Sequence, residues 1–152
     1  MTYPEFFVAP MRQELTNLGV RELRTPAEVD VVLGRQIGQT GDQQGPTVMV
    51  IVNSVCGCAA GKARPGIALA LQHRTKPEIV TTVFAGVDIE ATERARSYFT
   101  GYPPSSPSIA LLRDGKLLWI LERRNIENQN AEMIAATLTE AFETYCATPV
   151  TK

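Results

Sequence analysis

The chain has 152 residues, of which 44% are hydrophobic and 20% charged, with a formal net charge of −1. This composition fits one globular domain with an ordinary apolar core and excludes a disordered chain. The near-neutral balance excludes a broad electrostatic pull toward nucleic acid or an anionic membrane, and no apolar run is long enough to span a bilayer.

The opening stretch TYPEFFVAPMRQELTNLG sets Phe7, Val8, Met11, Leu15 and Leu18 at helical spacing, closed by Gly19. Pro10 is expected to bend or divide that helix. Acidic Glu5 and the lack of a basic region followed by an apolar block argue against a secretory signal. A short strand is expected near Val20–Leu23. TPAEVDVVLGRQIG then carries a helix start: Thr25 as N-cap, Pro26 at the first helical position and Glu28 three residues after the cap, with Val29, Val32, Leu33 and Ile37 on one face. TGDQQGP reads as a loop, and TVMVIVNSV as a continuous apolar strand of the kind buried on both faces.

From Ala59 to about His73 the pattern predicts a helix kinked by Pro65. EIVTTVFAGV is the next strand, and Asp88 is expected to cap a helix running to about Phe99, with Ile89, Thr92, Arg96 and Phe99 on successive turns. TGYPPSSP is a proline-rich loop. SIALLRDGKLLWIL is a hairpin, because Asp114-Gly115 supplies the positive φ angles of a tight turn. A final amphipathic helix is expected to carry Ile126, Met133, Ile134, Thr137, Leu138, Ala141, Phe142 and Tyr145 on one stripe. Strands alternating with helices and a closing hairpin imply an α/β fold: a mixed sheet flanked by helices, with an extra N-terminal helix. One domain spans residues 1–152, with 1–19 as a helical extension and 147–152 as a tail.

Three cysteines, Cys56, Cys58 and Cys146, are too few for a disulfide framework. Without a leader, the expected setting is a reducing cytoplasm, where paired cysteines point to catalysis or metal. Cys56 falls where a buried strand gives way to a helix, and a helix start stabilises a thiolate. Lowering a thiol pKa from about 8.5 to about 6.5 raises the thiolate fraction at pH 7 roughly 25-fold, while intrinsic nucleophilicity falls about 8-fold. The net gain in attack is only about 3-fold, so the larger benefit is as a leaving group.

The Cys56-Gly57-Cys58 spacing adds a constraint. Residues two apart on a helix point roughly 200° from each other. On a strand they share a face, with Cα atoms about 6.6 Å apart, near the upper limit for a disulfide. A Cys56–Cys58 bridge therefore needs a local turn, for which Gly57 is the suited residue, and is expected to be strained and easily reduced. The motif suits a Cys56 that takes a small thiol from elsewhere as a mixed disulfide. Ser106-Pro107 stands directly before a strand that must pair, so Pro107 reads either as a cis-proline or as part of a stiff loop. His73 reads as a solvated helix end. Lys62 and Arg64 read as a solvated helix face, with the alternative that either meets an anionic thiol.

The strand into NSVCGCAAG, the interior Pro65 and the Pro107 strand ending in Asp114-Gly115 resemble thioredoxins over roughly Val20 to Tyr145. SVCGCAAG, YFTG, PPSSPSIALL and a cysteine near the carboxyl end are together similar to the bacilliredoxin family over nearly the whole chain. That resemblance implies a thioredoxin-like fold and a thiol–disulfide oxidoreductase that removes bacillithiol, or a similar low-molecular-weight thiol, from S-thiolated cytosolic proteins. It also implies a weak disulfide-isomerase activity. Cys56 would be the attacking catalytic residue, Cys58 the auxiliary or resolving one, and Pro107 a cis-proline opposite Cys56. Gly57, Ser106 and Pro107 would contact substrate, and Cys146 is a candidate resolving thiol within or between chains. No tightly bound cofactor, metal, nucleic acid or membrane is expected. The small thiol is a co-substrate, a second thiol or a reductase would regenerate Cys56, and a homodimer is left open. The chain departs from the family in GQTGDQQGP and in the tail ATPVTK. The competing reading is a metal- or cluster-binding protein using Cys56, Cys58 and Cys146, although a closed structural zinc site normally takes four ligands.

Overall fold

The run Thr47–Asn53 is buried along its whole length and forms the central strand. In the computed structural model, which describes residues 3–34 and 45–147, the elements follow in this order: α1 (Glu5–Thr16), β1 (Arg21–Glu22), α2 (Pro26–Leu33), β2 (Thr47–Asn53), a π-helical turn (Ala59–Ala63) running into α3 (Arg64–Ala70), β3 (Ile79–Phe84), α4 (Ile89–Arg96), β4 (Ser108–Arg113), β5 (Lys116–Leu121), α5 (Arg123–Glu127) and α6 (Ala131–Tyr145). Ile37, most of the 38–46 loop and most of the tail lie outside the described residues.

The sheet order is β1-β3-β2-β4-β5. β3 runs parallel to β1 and β2, whereas β4 is antiparallel to β2 and β5 to β4. Side chains alternate along β2: Met49 and Ile51 join one core with Ile67, Ile134, Leu138 and Phe142, and Val48, Val50 and Val52 join the other with Val29, Val32, Ala91 and Ala95. Helices therefore cover both faces of the central strand, which is why its sequence is apolar without alternation. The β4–β5 hairpin closes on Asp114 (φ 54°) and Gly115 (φ 77°) as expected, and the Asp114 carboxylate accepts from the Gly45 amide at 3.1 Å.

Several helices differ from expectation, each for a local reason. Pro10 sits inside α1 without dividing it. The carbonyl it leaves unpaired is that of Phe6, a residue 81% exposed, so water can take the bond. The buried face of α1 is Val8, Arg12 and Leu15, while Phe7 and Leu18 are exposed. Thr25 caps α2 by accepting from the Glu28 amide at 3.1 Å, and the Glu28 carboxylate reaches back to the Arg24 amide at 2.7 Å. Asp88 holds the N-cap position of α4 but makes no side-chain cap bond, because its carboxylate pairs with Arg12 at 2.8 Å. Burial opposes the charge of Arg12, and Asp88, Glu22 and Glu5 together outweigh that penalty, so the guanidinium stays protonated. The cluster fastens α1 to β1 and to the start of α4. In α4 the buried face is Ala91, Thr92 and Ala95, with Ile89 exposed.

The helix expected over Ala59–His73 opens as a π turn and ends at Ala70. Pro65 has no N–H to give Gly61, which favours wider bonding just before it. The expected last helix is two: α5 carries Ile126, and Asn130 caps α6 by accepting from the Met133 amide at 2.8 Å. Met133 is half exposed, and Ile134, Leu138, Ala141 and Phe142 form the buried stripe. α3 and α6 meet closely at Gly66, where a Cβ would lie 2.7 Å from the Ile134 side chain.

Candidate active site

The carboxyl end of β2 is held from below by buried polar groups. Asn53 is buried and its Oδ1 accepts from the Ser54 amide and from Arg64 Nη1, both at 2.8 Å. Arg64 Nη1 also donates to the Ser54 carbonyl at 2.8 Å, and its Nε to Glu14 at 2.7 Å. Arg64 is thus not part of a solvated face: only 3% exposed, it ties α3, β2 and α1 together under the chain that leads to Cys56. The cue was its place on the apolar stripe, three residues before Ile67 and seven before Leu71. Lys62 is partly exposed and donates to the Glu127 carbonyl, a contact with α5 rather than with sulfur.

Above this bracket the chain turns. The Cys56 carbonyl accepts from the Ala59 and Ala60 amides at 3.1 and 3.2 Å, so helical bonding begins at Cys56, as expected from sequence. Its amide donates to Ser54 Oγ at 3.2 Å. Burial raises the Cys56 thiol, but the Ser54 hydroxyl, the amides of Ala59 and Cys58 and the charge of Arg123 outweigh it, leaving its pKa below the ordinary value. Gly57 is exposed, and nothing would lie within 4 Å of a Cβ there. Its φ is not positive in this dithiol form, so the special turn expected of it for a bridge is not formed here. Cys58 is helical (φ −64°, ψ −34°) and packs against the core cluster of α3 and α6.

The Ser106-Pro107 bond is cis, the alternative to a merely stiff loop. Ser108 pairs with Val52 across β2 and β4, which sets Ser106-Pro107 beside the end of β2 that carries Cys56. Arg123, at the start of α5, joins the two halves of the site. It donates from Nη1 to the Ser106 carbonyl at 3.3 Å and from Nε to Glu127 at 2.9 Å. Sequence reasoning passed over it, since the run Glu122-Arg123-Arg124 reads as ordinary surface charge and only the fold brings it to sulfur.

Cys146 is not brought to this site. It caps α6 and lies beside Thr47, at the opposite end of β2. A seven-residue strand rises about 20 Å, against a Cα spacing of at most about 7 Å for a disulfide. Resolution of Cys56 by Cys146 within one chain is therefore corrected to a separation across the sheet. Burial holds the Cys146 thiol above its ordinary value, with Glu78 adding to it and Thr47 and Arg113 opposing. The same separation disperses the three-cysteine metal set, and among the described residues no three His, Cys, Asp or Glu side chains gather where they could hold an ion. His73 lies 2.7 Å from Glu143 at the surface, a tie between helix ends.

Comparison with known proteins agrees with this geometry. A family model described as disulphide isomerase matches residues 3–146. A bacilliredoxin of Koribacter versatilis is 55% identical over 144 residues, covering 95% of this chain and 94% of its own length. The chain belongs to the bacilliredoxin family. Another bacilliredoxin, from Salinibacter ruber, is 53% identical over 147 residues (96% of this chain, 82% of the relative), and one from Bacillus cereus is 46% identical over 139 (91% and 90%). A thioredoxin of Malassezia sympodialis superposes with a TM-score of 0.57 at 12% identity, covering 84% of this chain and 91% of that one, and so shows the fold. This bacilliredoxin is a thiol–disulfide oxidoreductase of thioredoxin-like fold. No helix among its described residues is long and apolar enough to cross a membrane.

The opposed shifts of Cys56 and Cys146 set an expected result. Alkylation follows the thiolate, so the pH midpoint for Cys56 should fall below that of a free thiol and that for Cys146 above it. Arg123→Gln should move the Cys56 midpoint upward and leave Cys146 where it was. Iodoacetamide labelling resolved by peptide mass would show this, and a Cys56 midpoint at or above that of Cys146 contradicts the arrangement described.

Proposed function

We propose that this bacilliredoxin removes a low-molecular-weight thiol, bacillithiol in the first instance, from S-thiolated proteins through a mixed disulfide at Cys56. The observation that carries the reading is the contrast between the two sulfurs: Cys56 stands at the start of a helical turn with its thiolate favoured, while Cys58 packs against the core. In the first step the Cys56 thiolate attacks the small thiol's sulfur in a protein–S–S–R disulfide. That bond breaks, Cys56–S–S–R forms, and the protein leaves as its thiolate, which takes a proton from water. In the second step a thiol attacks Cys56–S–S–R at the Cys56 sulfur or at that of R. Attack by Cys58 releases R–S⁻ and leaves a Cys56–Cys58 disulfide for a reductase; attack by a second R–S⁻ releases R–S–S–R and restores Cys56.

Exposed Gly57 leaves one approach to sulfur uncovered, and Ser106-Pro107 borders the other, which supports substrate contact at these residues. A weak disulfide-isomerase activity follows from the same chemistry when the attacked disulfide joins two protein thiols. Cys146 resolves only in trans, as a thiol of a second copy. Mass spectrometry of the protein from its native cells, quenched in acid, tests the reading: the mass of bacillithiol less two hydrogens is expected on the peptide carrying Cys56. A different thiol at Cys56 changes the co-substrate, and modification confined to Cys58 or Cys146 overturns the assignment.

A further inference from the structure

Arg96, the last residue of α4, has no part in the chemistry described above, yet its guanidinium is turned inward. Its Nε is the one buried side-chain polar atom among the described residues that has no partner. Burial opposes the charge of Arg96, and Glu93 favours it only through its field, without a salt bridge. A charge buried without an acid beside it costs stability, so the residue is explained by what it holds. Its hydrogen bond runs from Nη2 to the Ser105 carbonyl, at 3.2 Å.

The chain at Ser105 and Ser106 is tied to two helices. Ser108 Oγ donates to the Ser105 carbonyl at 3.1 Å, a bond within the loop's own turn that sets its shape and anchors it to nothing else. From α5, Arg123 donates through its amide to Ser105 Oγ at 3.4 Å and through Nη1 to the Ser106 carbonyl at 3.3 Å. From α4, Arg96 supplies the second tie. Two guanidiniums on separate helices thus hold consecutive carbonyls, and the pairing of Ser108 with Val52 sets those carbonyls beside the end of β2 that leads to Cys56. The two arginines differ in one respect: the charge of Arg123 acts on Cys56, whereas Arg96 is not among the leading groups that set its acidity. We propose that Arg96 is a positioning residue for protein substrates, holding the Ser105-Ser106 edge where the protein part of a disulfide lies while Cys56 attacks. A small free disulfide reaches the sulfur without that edge, so Arg96 sets the preference for disulfides borne on protein. The proposal rests on the reading above that Cys56 attacks and that substrate lies against Ser106-Pro107.

The test compares two substrates. Reduced parent, Arg96→Met and Arg96→Lys proteins each react in a single turnover with a reporter protein capped with bacillithiol and with 2-hydroxyethyl disulfide. Arg96→Met should be about tenfold slower on the capped protein and within about twofold of the parent on the small disulfide. Equal losses on both substrates, or no loss on either, overturn the proposal. Arg96→Lys should recover most of the rate, because a single carbonyl needs a single donor; a lysine no better than methionine overturns the carbonyl contact as the cause. Methionine fills similar space and removes a charge that burial penalises, and Ser108 still bonds the Ser105 carbonyl, so the variant is expected to fold with a urea midpoint no lower than the parent's. The pH midpoint of Cys56 alkylation should stay in place in Arg96→Met, and a midpoint moved as far as by Arg123→Gln contradicts a role confined to the loop. A parent that leaves the bacillithiol cap in place sinks the de-thiolation reading alone. The same comparison is then made with insulin, whose disulfides join protein chains, as the protein substrate, and the same two patterns decide it.

Discussion

Serine in place of Cys56 is expected to reduce transfer of a small thiol from a capped protein to the background rate, while serine in place of Cys58 preserves the first transfer and accumulates the Cys56 adduct. The asymmetry comes from geometry. A serine hydroxyl at position 56 would meet the same groups, the Ser54 hydroxyl, the Ala59 and Cys58 amides and the charge of Arg123, but an alcohol is not ionised at neutral pH and forms no disulfide. Cys58 is helical and packed on the core, and residues two apart on a helix point about 200° from each other. Bridging the pair requires the chain at Gly57 to leave its helical path. The Cys56–Cys58 couple should therefore be more oxidising than about −180 mV. Intact-protein mass spectrometry after single turnover reads the adduct, and glutathione redox equilibration reads the potential. Adduct trapped on Cys56→Ser instead reverses the two roles. A potential near −270 mV, the value of about that size held by thioredoxin, removes the geometric argument for a mixed disulfide.

Arg64→Met carries the largest expected loss of stability. The guanidinium is 3% exposed and donates to Asn53 Oδ1, the Ser54 carbonyl and Glu14. Methionine fills similar space but donates nothing, so buried acceptors at the end of β2 lose a charged partner. Charge-assisted bonds of this kind contribute about 1.5–3 kcal/mol each, and losses within one network do not simply add, so a drop of roughly 3 kcal/mol is expected. The Glu14 contact adds little, since that carboxylate is half exposed. Urea unfolding should show the loss, with Lys62→Ala, on the neighbouring partly exposed position, within about 0.5 kcal/mol of the parent. Thiol transfer should also slow in Arg64→Met at temperatures where it remains folded, because the Ser54 hydroxyl beside Cys56 is no longer held from below. Arg64→Lys should rescue little, because one ammonium cannot span the three acceptors. A stability change under about 1 kcal/mol would show that the bracket does not hold the strand end.

The fold and its chemical centre were legible in local pattern, because each rests on neighbouring residues. The unbroken run Thr47–Asn53 announces a strand covered on two sides, and the observed packing of Met49 and Ile51 against one core and Val50 and Val52 against the other is what that run requires. Asp114-Gly115 specifies a tight hairpin from two residues alone. Thr25, Pro26 and Glu28 specify a helix start within one turn. Asp88 shows the limit of such signals: its position predicts a cap, yet a buried guanidinium 76 residues away takes the carboxylate instead. A full charge under the sheet outcompetes one backbone amide at the surface. The single stripe read through Ile126 to Tyr145 fails for a similar reason, since Asn130 starts a new helix and redirects the chain.

The alternation of strands and helices and the place of Cys56 at a strand-to-helix junction are local properties, because they depend on periodicity and on turn chemistry between residues adjacent in the chain. Which charges meet the sulfur and which cysteine is out of reach follow from packing between distant segments. Arg123 arrives beside Cys56 through the pairing of β4 with β2 and the turn into α5, and Cys146 is left at the far end of β2 by the packing of α6. Such distances are sums over many residues of backbone direction, and no local pattern of side chains encodes them.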